Sequence, residues 1–193
     1  MDIKLLEKPE STPVSLPEMK EHLRVLENDE DQLIEAYMRA ATEYCETIEN
    51  KHYLTTKIKL LLDEIEQVIR LPRPPLQSLE KIEYQKVDGT IEVLDPDNYV
   101  VDESGYFGYV RLINGLPSGL ADKNKLQITY TAGYKESDDV PYKVKSAIKF
   151  LTAHYWSQRT PVSTTGGIPQ EINLTVKSLL NIDRVVPVWI QEH

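Results

Sequence analysis

The chain has 193 residues and a mass of 22.2 kDa, enough for one well-buried core or one domain with a sizeable insertion, but not for two large independent domains. With 40% apolar, 27% charged and 8% aromatic residues it is too apolar to be disordered. Its formal charge of −9 is concentrated in residues 1–50, where thirteen Asp and Glu stand against five Lys and Arg; this argues against a protein that grips nucleic acid through its phosphates, which requires clustered cations.

The opening MDIKLLEKPE is charged throughout and lacks the apolar run of a signal peptide. No later stretch approaches the roughly 18 apolar residues of a membrane span. Ser15-Leu16-Pro17-Glu18 has the S-x-x-E form of a capping box and predicts a short helix over about 16–26. Asn28-Asp29-Glu30-Asp31 then opens a longer helix, its carboxylates complementing the positive end of the dipole. In that helix Leu33, Ile34, Tyr37, Met38, Ala41, Tyr44, Cys45 and Ile48 fall on one arc, while Glu35, Arg39, Glu43 and Glu46 lie off it, so one face is buried and the other is wet. Cys45 is the only cysteine; no intrachain disulfide or thiolate metal cluster can form, and a reducing cytoplasmic setting is expected.

From Thr55 the period becomes extended. TKIKLLLDE, SLEKIEYQKV, TIEVLD, NYVVDE, GYVRLI and KLQITYTAG are short, rich in Ile, Val, Tyr and Thr, and separated by turn residues. Asp88-Gly89 marks a hairpin, because Gly tolerates the positive φ of the turn. No helix-length crossover separates the runs, so the sheet should be antiparallel. Ahead of SLEKIEYQKV stands LPRPPLQS, with three prolines, Pro72, Pro74 and Pro75, in four positions. A polyproline ligand must be exposed and flanked by flexible chain. This one lies between a predicted strand and a segment whose Leu79, Ile82 and Tyr84 read as buried, so it reads as a corner in the fold.

A third helix is expected from about Val140 to Arg159, with Pro141 near its first turn and Asp138 or Asp139 as cap. A loop, PVSTTGGIPQ, leads to a short helix near Asn173 to Ile182, and RVVPVWIQEH ends the chain as an apolar arm. The expected fold class is α+β: a core of about four helices, an antiparallel β insertion between the second and third, and an extended C-terminal arm. The corresponding segments are 1–54, 55–133, 134–183 and 184–193, with the helices before and after the insertion sharing one core.

Catalytic signatures are weak. His22, His52, His154 and His193 are too scattered for a local metal motif such as H-E-x-x-H, and no G-x-S-x-G elbow is present. Gly166-Gly167 lacks the following Lys of a phosphate loop, and Asp138-Asp139 lacks the surrounding ligands of a calcium loop. No cofactor or metal is expected, and the chain does not read as an enzyme.

LPRPPLQSLEKIEY, DGTIEVLDPDNYVVD, ITYTAGY and VPYKVKSAIKFLTAHYWSQR, with PVSLPEMKEHLRV and DEDQLIEAYMRAATEYCE before them, in this order and spacing, resemble the head-tail connector family of tailed bacteriophages and related gene-transfer particles, also called adaptor or head-completion proteins. The resemblance runs from Val14 to Ile182. It implies a non-enzymatic virion neck protein, assembled in the host cytoplasm, that forms a ring, commonly of twelve copies. Such a ring sits beneath the portal, joins it to a neck, stopper or tail-completion protein, and lets duplex DNA pass without binding it; no membrane is involved. It further implies that the arm, with Arg184, Val185, Val186, Val188, Trp189 and Ile190, contacts the portal. The alternative is a non-ring cytoplasmic adaptor that binds a partner through its Pro-rich segment or the arm.

The residues themselves offer two more surfaces. In the third helix Val144, Ala147, Ile148, Leu151 and Tyr155 form one apolar stripe, and Tyr142, Ala153 and Trp156 lie nearly opposite, as either a second intramolecular face or a subunit contact. Glu27, Asp29, Glu30, Asp31 and Glu35 form either an ordinary solvated face or the wall of a channel that repels phosphates.

Overall fold

The structure is a computed structural model that describes residues 1–158 and 170–180. They form two compact units: Met1–Pro9 with Thr55–Lys135, and Glu10–Leu54 with the described part of Glu136–Val186. The architecture is mixed α+β, with antiparallel sheets and four helices.

The second unit is helical: α1 (Leu16–Leu23), α2 (Asp31–Glu49), α3 (Tyr142–Ser157) and α4 (Gln170–Leu180). Ser15 caps α1 by accepting the Glu18 backbone N–H on its Oγ at 3.4 Å, as the capping box predicts. Arg24, at φ 57°, closes the helix in the left-handed conformation, three residues before the expected end. The apolar arc of α2 points inward: Ile34, Met38, Ala41 and Cys45 are buried, while Glu35, Arg39 and Glu43 are exposed. Burial pushes the Cys45 thiol up to about 12, helped by the nearby Glu49 and Glu46 carboxylates, so it stays a neutral core side chain.

Helix α3 buries Val144, Ala147, Ile148 and Leu151 as expected. Its start departs from the sequence reading. Neither Asp138 nor Asp139 caps it: Ser137–Asp139 forms a 3₁₀ turn, and Pro141 occupies the N-cap position without a side-chain bond. A local 3₁₀ turn and the fixed φ of proline replace the side-chain acceptor. Helix α4 buries Val176 and Leu180; Ile182, the PVSTTGGIP stretch and the arm lie outside the described residues.

The first unit contains β1 (Asp2–Glu7), β2 (Thr56–Leu62), β3 (Val68–Arg70), β4 (Leu76–Gln85), β5 (Ile91–Val93), β6 (Tyr99–Asp102), β7 (Tyr109–Leu112) and β8 (Leu126–Ala132). They form two sheets, ordered β1-β2-β8-β4-β5 and β3-β7-β6. All pairings are antiparallel. Two strands escape the sequence reading. Strand β1 pairs with β2 from Asp2↔Leu61 to Leu5↔Ile58, yet only Ile3 turns inward, so no alternation marks it. Strand β3 is only three residues long. The Asp88-Gly89 hairpin forms between β4 and β5, with Gly89 at φ 86° and the Asp88 carboxylate accepting the Thr90 N–H at 2.9 Å.

Both sheets contribute to one core, with Ile58 and Leu60 of β2, Ile69 of β3, Ile82 of β4, Val110 of β7, and Ile128 and Tyr130 of β8. LPRPP is a joint inside it. Pro72 and Pro74 are buried, Tyr130 donates its hydroxyl to the Pro72 carbonyl at 2.7 Å, and the Gly133 N–H donates to the Pro75 carbonyl at 2.9 Å. The Pro74–Pro75 peptide is cis. Next to this joint the Gly108 carbonyl accepts the Leu71 N–H at 2.9 Å, and a Cβ on Gly108 would overlap Leu76 Cδ2 and lie 2.9 Å from Leu76 Cβ. Gly108→Ala is therefore expected to destabilise this unit by about 1–3 kcal/mol, and Leu76→Ala should be less harmful in that background than alone, as read from paired denaturant curves.

Candidate interaction surfaces

Among the described residues no group of three or more His, Cys, Asp or Glu side chains is arranged to hold a metal ion, and no helix is long and apolar enough to cross a membrane. The chemistry of the surface therefore lies in exposed apolar groups and unevenly neutralised charges.

The five N-terminal acids are not equivalent. Glu27, Asp29 and Glu35 are exposed, whereas Glu30 and Asp31 are half-buried. Asp31 accepts Lys20 Nζ at 2.7 Å, and Lys20 also reaches Asn28 Oδ1, so this carboxylate clasps α1 to the start of α2. Helix pairing, which spacing along one chain segment does not reveal, assigns Asp31 that partner.

On α3, Tyr142 is 85% exposed, and Ala153 and Trp156 are half-buried. The fold adds apolar groups that the sequence reading passes over. Phe150 is about half exposed and meets His22 of α1 edge to face, ring centres 6.3 Å apart; Leu26 is 90% exposed. Phe150 lies between the two stripes read from the sequence, and only the approach of α1 picks it out. Glu18 of α1 ties the same two helices by accepting Lys149 Nζ at 2.6 Å. That bond holds the Glu18 carboxyl below the usual carboxylate range despite partial desolvation.

On the face of the larger sheet away from its apolar core the buried charge is neutralised. Lys59 and Lys81 donate to opposite oxygens of Glu83 at 3.0 and 2.7 Å, and Lys59 also reaches Gln127 at 3.2 Å. Desolvation alone would raise the Glu83 carboxyl; the two lysines outweigh it and lower it. At one end of this sheet the β4–β5 hairpin exposes Val87, Ile91 and Val93.

The outer face of β3-β7-β6 is not neutralised in this way. Arg70 lies over Phe107, its guanidinium carbon 3.9 Å from the ring centre, and Tyr106 meets Phe107 edge-on. Arg111 is exposed between Val68 and Val100 in the strand register. Neither arginine forms an ion pair among the described residues.

Residues 14–179 match the family model described as Head completion protein. The chain belongs to the head completion protein family. The matched span includes α1–α3, all of α4 but its last residue, and every strand except β1. No curated protein matches. Among solved structures, this head completion fold is similar to a chain from the neck of an empty GTA particle computed with C6 symmetry, at TM-score 0.79 and 20% identity over 97% of each chain. It is also similar to a chain from the virion of a native gene transfer agent particle, at TM-score 0.78 and 19% identity, again over 97% of each chain. A third likeness is to the neck of a native GTA particle computed with C12 symmetry, at TM-score 0.73, 19% identity and 97% coverage of each chain. At these identities what is shared is the fold.

Proposed function

We propose that this head completion protein is a structural head-tail connector of a tailed phage or phage-like particle, located in the virion neck. Copies form a ring beneath the portal that joins the capsid to a neck, stopper or tail-completion protein and continues the DNA channel. The observation that carries this reading is the family match over residues 14–179 combined with a fold that follows a GTA neck chain over 97% of both chains. The C6 and C12 symmetries of the matching neck structures support cyclic assembly and are compatible with twelve copies. The role requires matching surfaces and an open hole, and no catalytic group.

Within this reading the finer assignments follow from chemistry. A wall bearing Glu27, Asp29, Glu30, Asp31 and Glu35 repels phosphates and keeps duplex DNA from sticking, with the exposed Glu27, Asp29 and Glu35 contributing most because Asp31 is already paired with Lys20. Tyr142, Ala153 and Trp156 are assigned to contact between copies, and the arm with Arg184, Val185, Val186, Val188, Trp189 and Ile190 to the portal. The rival adaptor reading has less to work with at its Pro-rich segment, since Pro72 and Pro74 are buried and the joint is hydrogen-bonded to β8 and Gly133.

Mixing the full chain with portal and viewing the product by electron microscopy tests the proposal: rings stacked on the portal are expected. Removing residues 184–193 should leave the circular dichroism and melting temperature of the remainder unchanged and abolish stacking. Stacking by the truncated chain would refute the arm's role, and a full chain that never forms a ring on any portal would refute the connector itself.

A further inference from the structure

A closed head-to-tail ring requires two different surfaces on each copy that fit one another. The outer face of the three-stranded sheet has the character of one of them. By the period of two, Val68 and Arg70 on β3, Tyr109 and Arg111 on β7 and Val100 on β6 share this face, because Ile69 and Val110 between them are core residues. Phe107, two residues ahead of Tyr109, extends the row under Arg70. Val68 is 37% and Val100 51% exposed. Aromatic and arginine side chains flanked by valines are the composition of an interface centre, and are unusual for a solvated sheet face.

The charges on the face are only partly met. Arg70 Nε is buried without a hydrogen-bond partner. Asp102, the carboxylate on the same face, is committed to Ser104, whose hydroxyl and backbone N–H donate to it at 2.6 and 3.0 Å; these bonds, more than the charge of Arg111, hold its carboxyl low. In a chain of net charge −9 the face thus presents two guanidinium groups, one of them already held over a ring, to whatever approaches.

The same chain carries a segment of opposite character. Glu136, Ser137, Asp138 and Asp139 are all exposed, and the Ser137–Asp139 turn fixes their backbone. Asp138 alone has a cationic neighbour, Lys145 at 3.5 Å, and is itself 98% exposed. Three residues beyond Asp139 stands Tyr142, 85% exposed and already assigned to contact between copies. The acids near Glu27–Glu35 suit this face less well, because Asp31 is clasped by Lys20 and no exposed aromatic accompanies them.

We infer that the outer face of β3-β7-β6 receives the Glu136–Tyr142 segment of the adjacent copy, its carboxylates on Arg70 and Arg111 and Tyr142 against the valine flank. The inference rests on the ring reading and names the two surfaces that close the ring.

A charge exchange tests it on the full chain. One variant carries Arg70→Glu and Arg111→Glu, the other Glu136→Lys and Asp139→Lys; self-association is followed by sedimentation and by electron microscopy with portal. Each variant alone should associate about tenfold or more weakly than the parent chain. An equal mixture should recover association, because each supplies the surface the other lacks and the exchanged pair is again complementary; that recovery also shows that both variants are folded. Variants that form rings as the parent does, or a mixture no better than its components, would overturn this pairing and leave the ring reading standing. A parent chain that stays monomeric both alone and with portal would overturn the ring reading and this inference together. Arg111→Cys combined with Asp139→Cys should in addition give intermolecular disulfide ladders in assembled rings, with the buried Cys45 not competing; a protein that remains uncross-linked in intact rings counts against the pairing.

Discussion

Replacing Tyr130 with alanine is expected to lower the free energy of opening the β unit by about 4 kcal/mol, a large part of the 5–15 kcal/mol that holds a typical domain folded. Tyr130 is fully buried on β8, the strand paired on both sides, by β2 at Ile58 and by β4 at Leu79. Its ring fills the core where the LPRPP joint arrives, and its hydroxyl is the donor for the buried Pro72 carbonyl at 2.7 Å. Burial holds the phenol far above its usual range, so it remains a protonated donor at any working pH. The substitution leaves a cavity and an unpaired carbonyl at once, and the two costs add. Tyr130→Phe isolates the second and should cost about 1–2 kcal/mol. Amide hydrogen exchange across Leu126–Ala132 reads both values from this unit; an alanine variant costing less than about 1.5 kcal/mol would mean that the joint repacks and that the tyrosine does not anchor it.

The second large effect is electrostatic and belongs to the helical unit. Glu49, at the last turn of α2, is 1% exposed. One of its oxygens accepts the Tyr53 hydroxyl at 2.7 Å; the other has no hydrogen bond and faces Lys51 Nζ at 3.6 Å, itself buried. Burial, and after it the Glu49 carboxylate, raises the Tyr53 phenol far above its ordinary value, which keeps it a donor. Lys51→Met removes the cation and leaves the charge behind, and should cost about 3–5 kcal/mol. Glu49→Leu combined with Lys51→Met removes the charge as well, and is expected to recover most of that loss even though it deletes one more polar group. Urea denaturation of the two variants decides the matter: a double variant no more stable than Lys51→Met alone would show that Lys51 matters through its stem and not its charge.

Both effects involve residues whose importance the sequence conceals. Glu49 looks like one more acid on a helix already rich in them, and it lies one step from Ile48 on the predicted apolar arc. It is buried because Tyr53 and Lys51, beyond the helix end, fold back over it. Tyr130 is legible as a core residue from the period of β8, but its hydroxyl needs an acceptor 58 residues away. The capping box at Ser15, the inward arc of α2, the hairpin at Gly89 and the stripe on α3 were all readable, because each depends on residues within a few positions of one another. The cap expected at Asp138 or Asp139 failed for a related reason: the capping rule sees carboxylates before a helix but not that Pro141 and a 3₁₀ turn have taken their place. The arginine face was invisible for a different reason. Arg70 lies on β3 and Arg111 on β7, with Phe107 in the turn just before β7, and β3, at three residues, is too short to declare itself by alternation.

The sequence by itself determined the fold class, the order of helices and most strands, the acidity of the N-terminal third and, through the order of its motifs, the family. These are properties of local spacing, or of composition, and survive without three-dimensional contacts. The tertiary structure alone decided that the strands divide into two sheets, that Asp31 spends its charge on Lys20, that Glu49 is enclosed, and that two arginines share one sheet face without forming an ion pair among the described residues. Each of those depends on which distant groups arrive beside a residue, and the free energy of a charge is set by its neighbours in space and not by those in the chain.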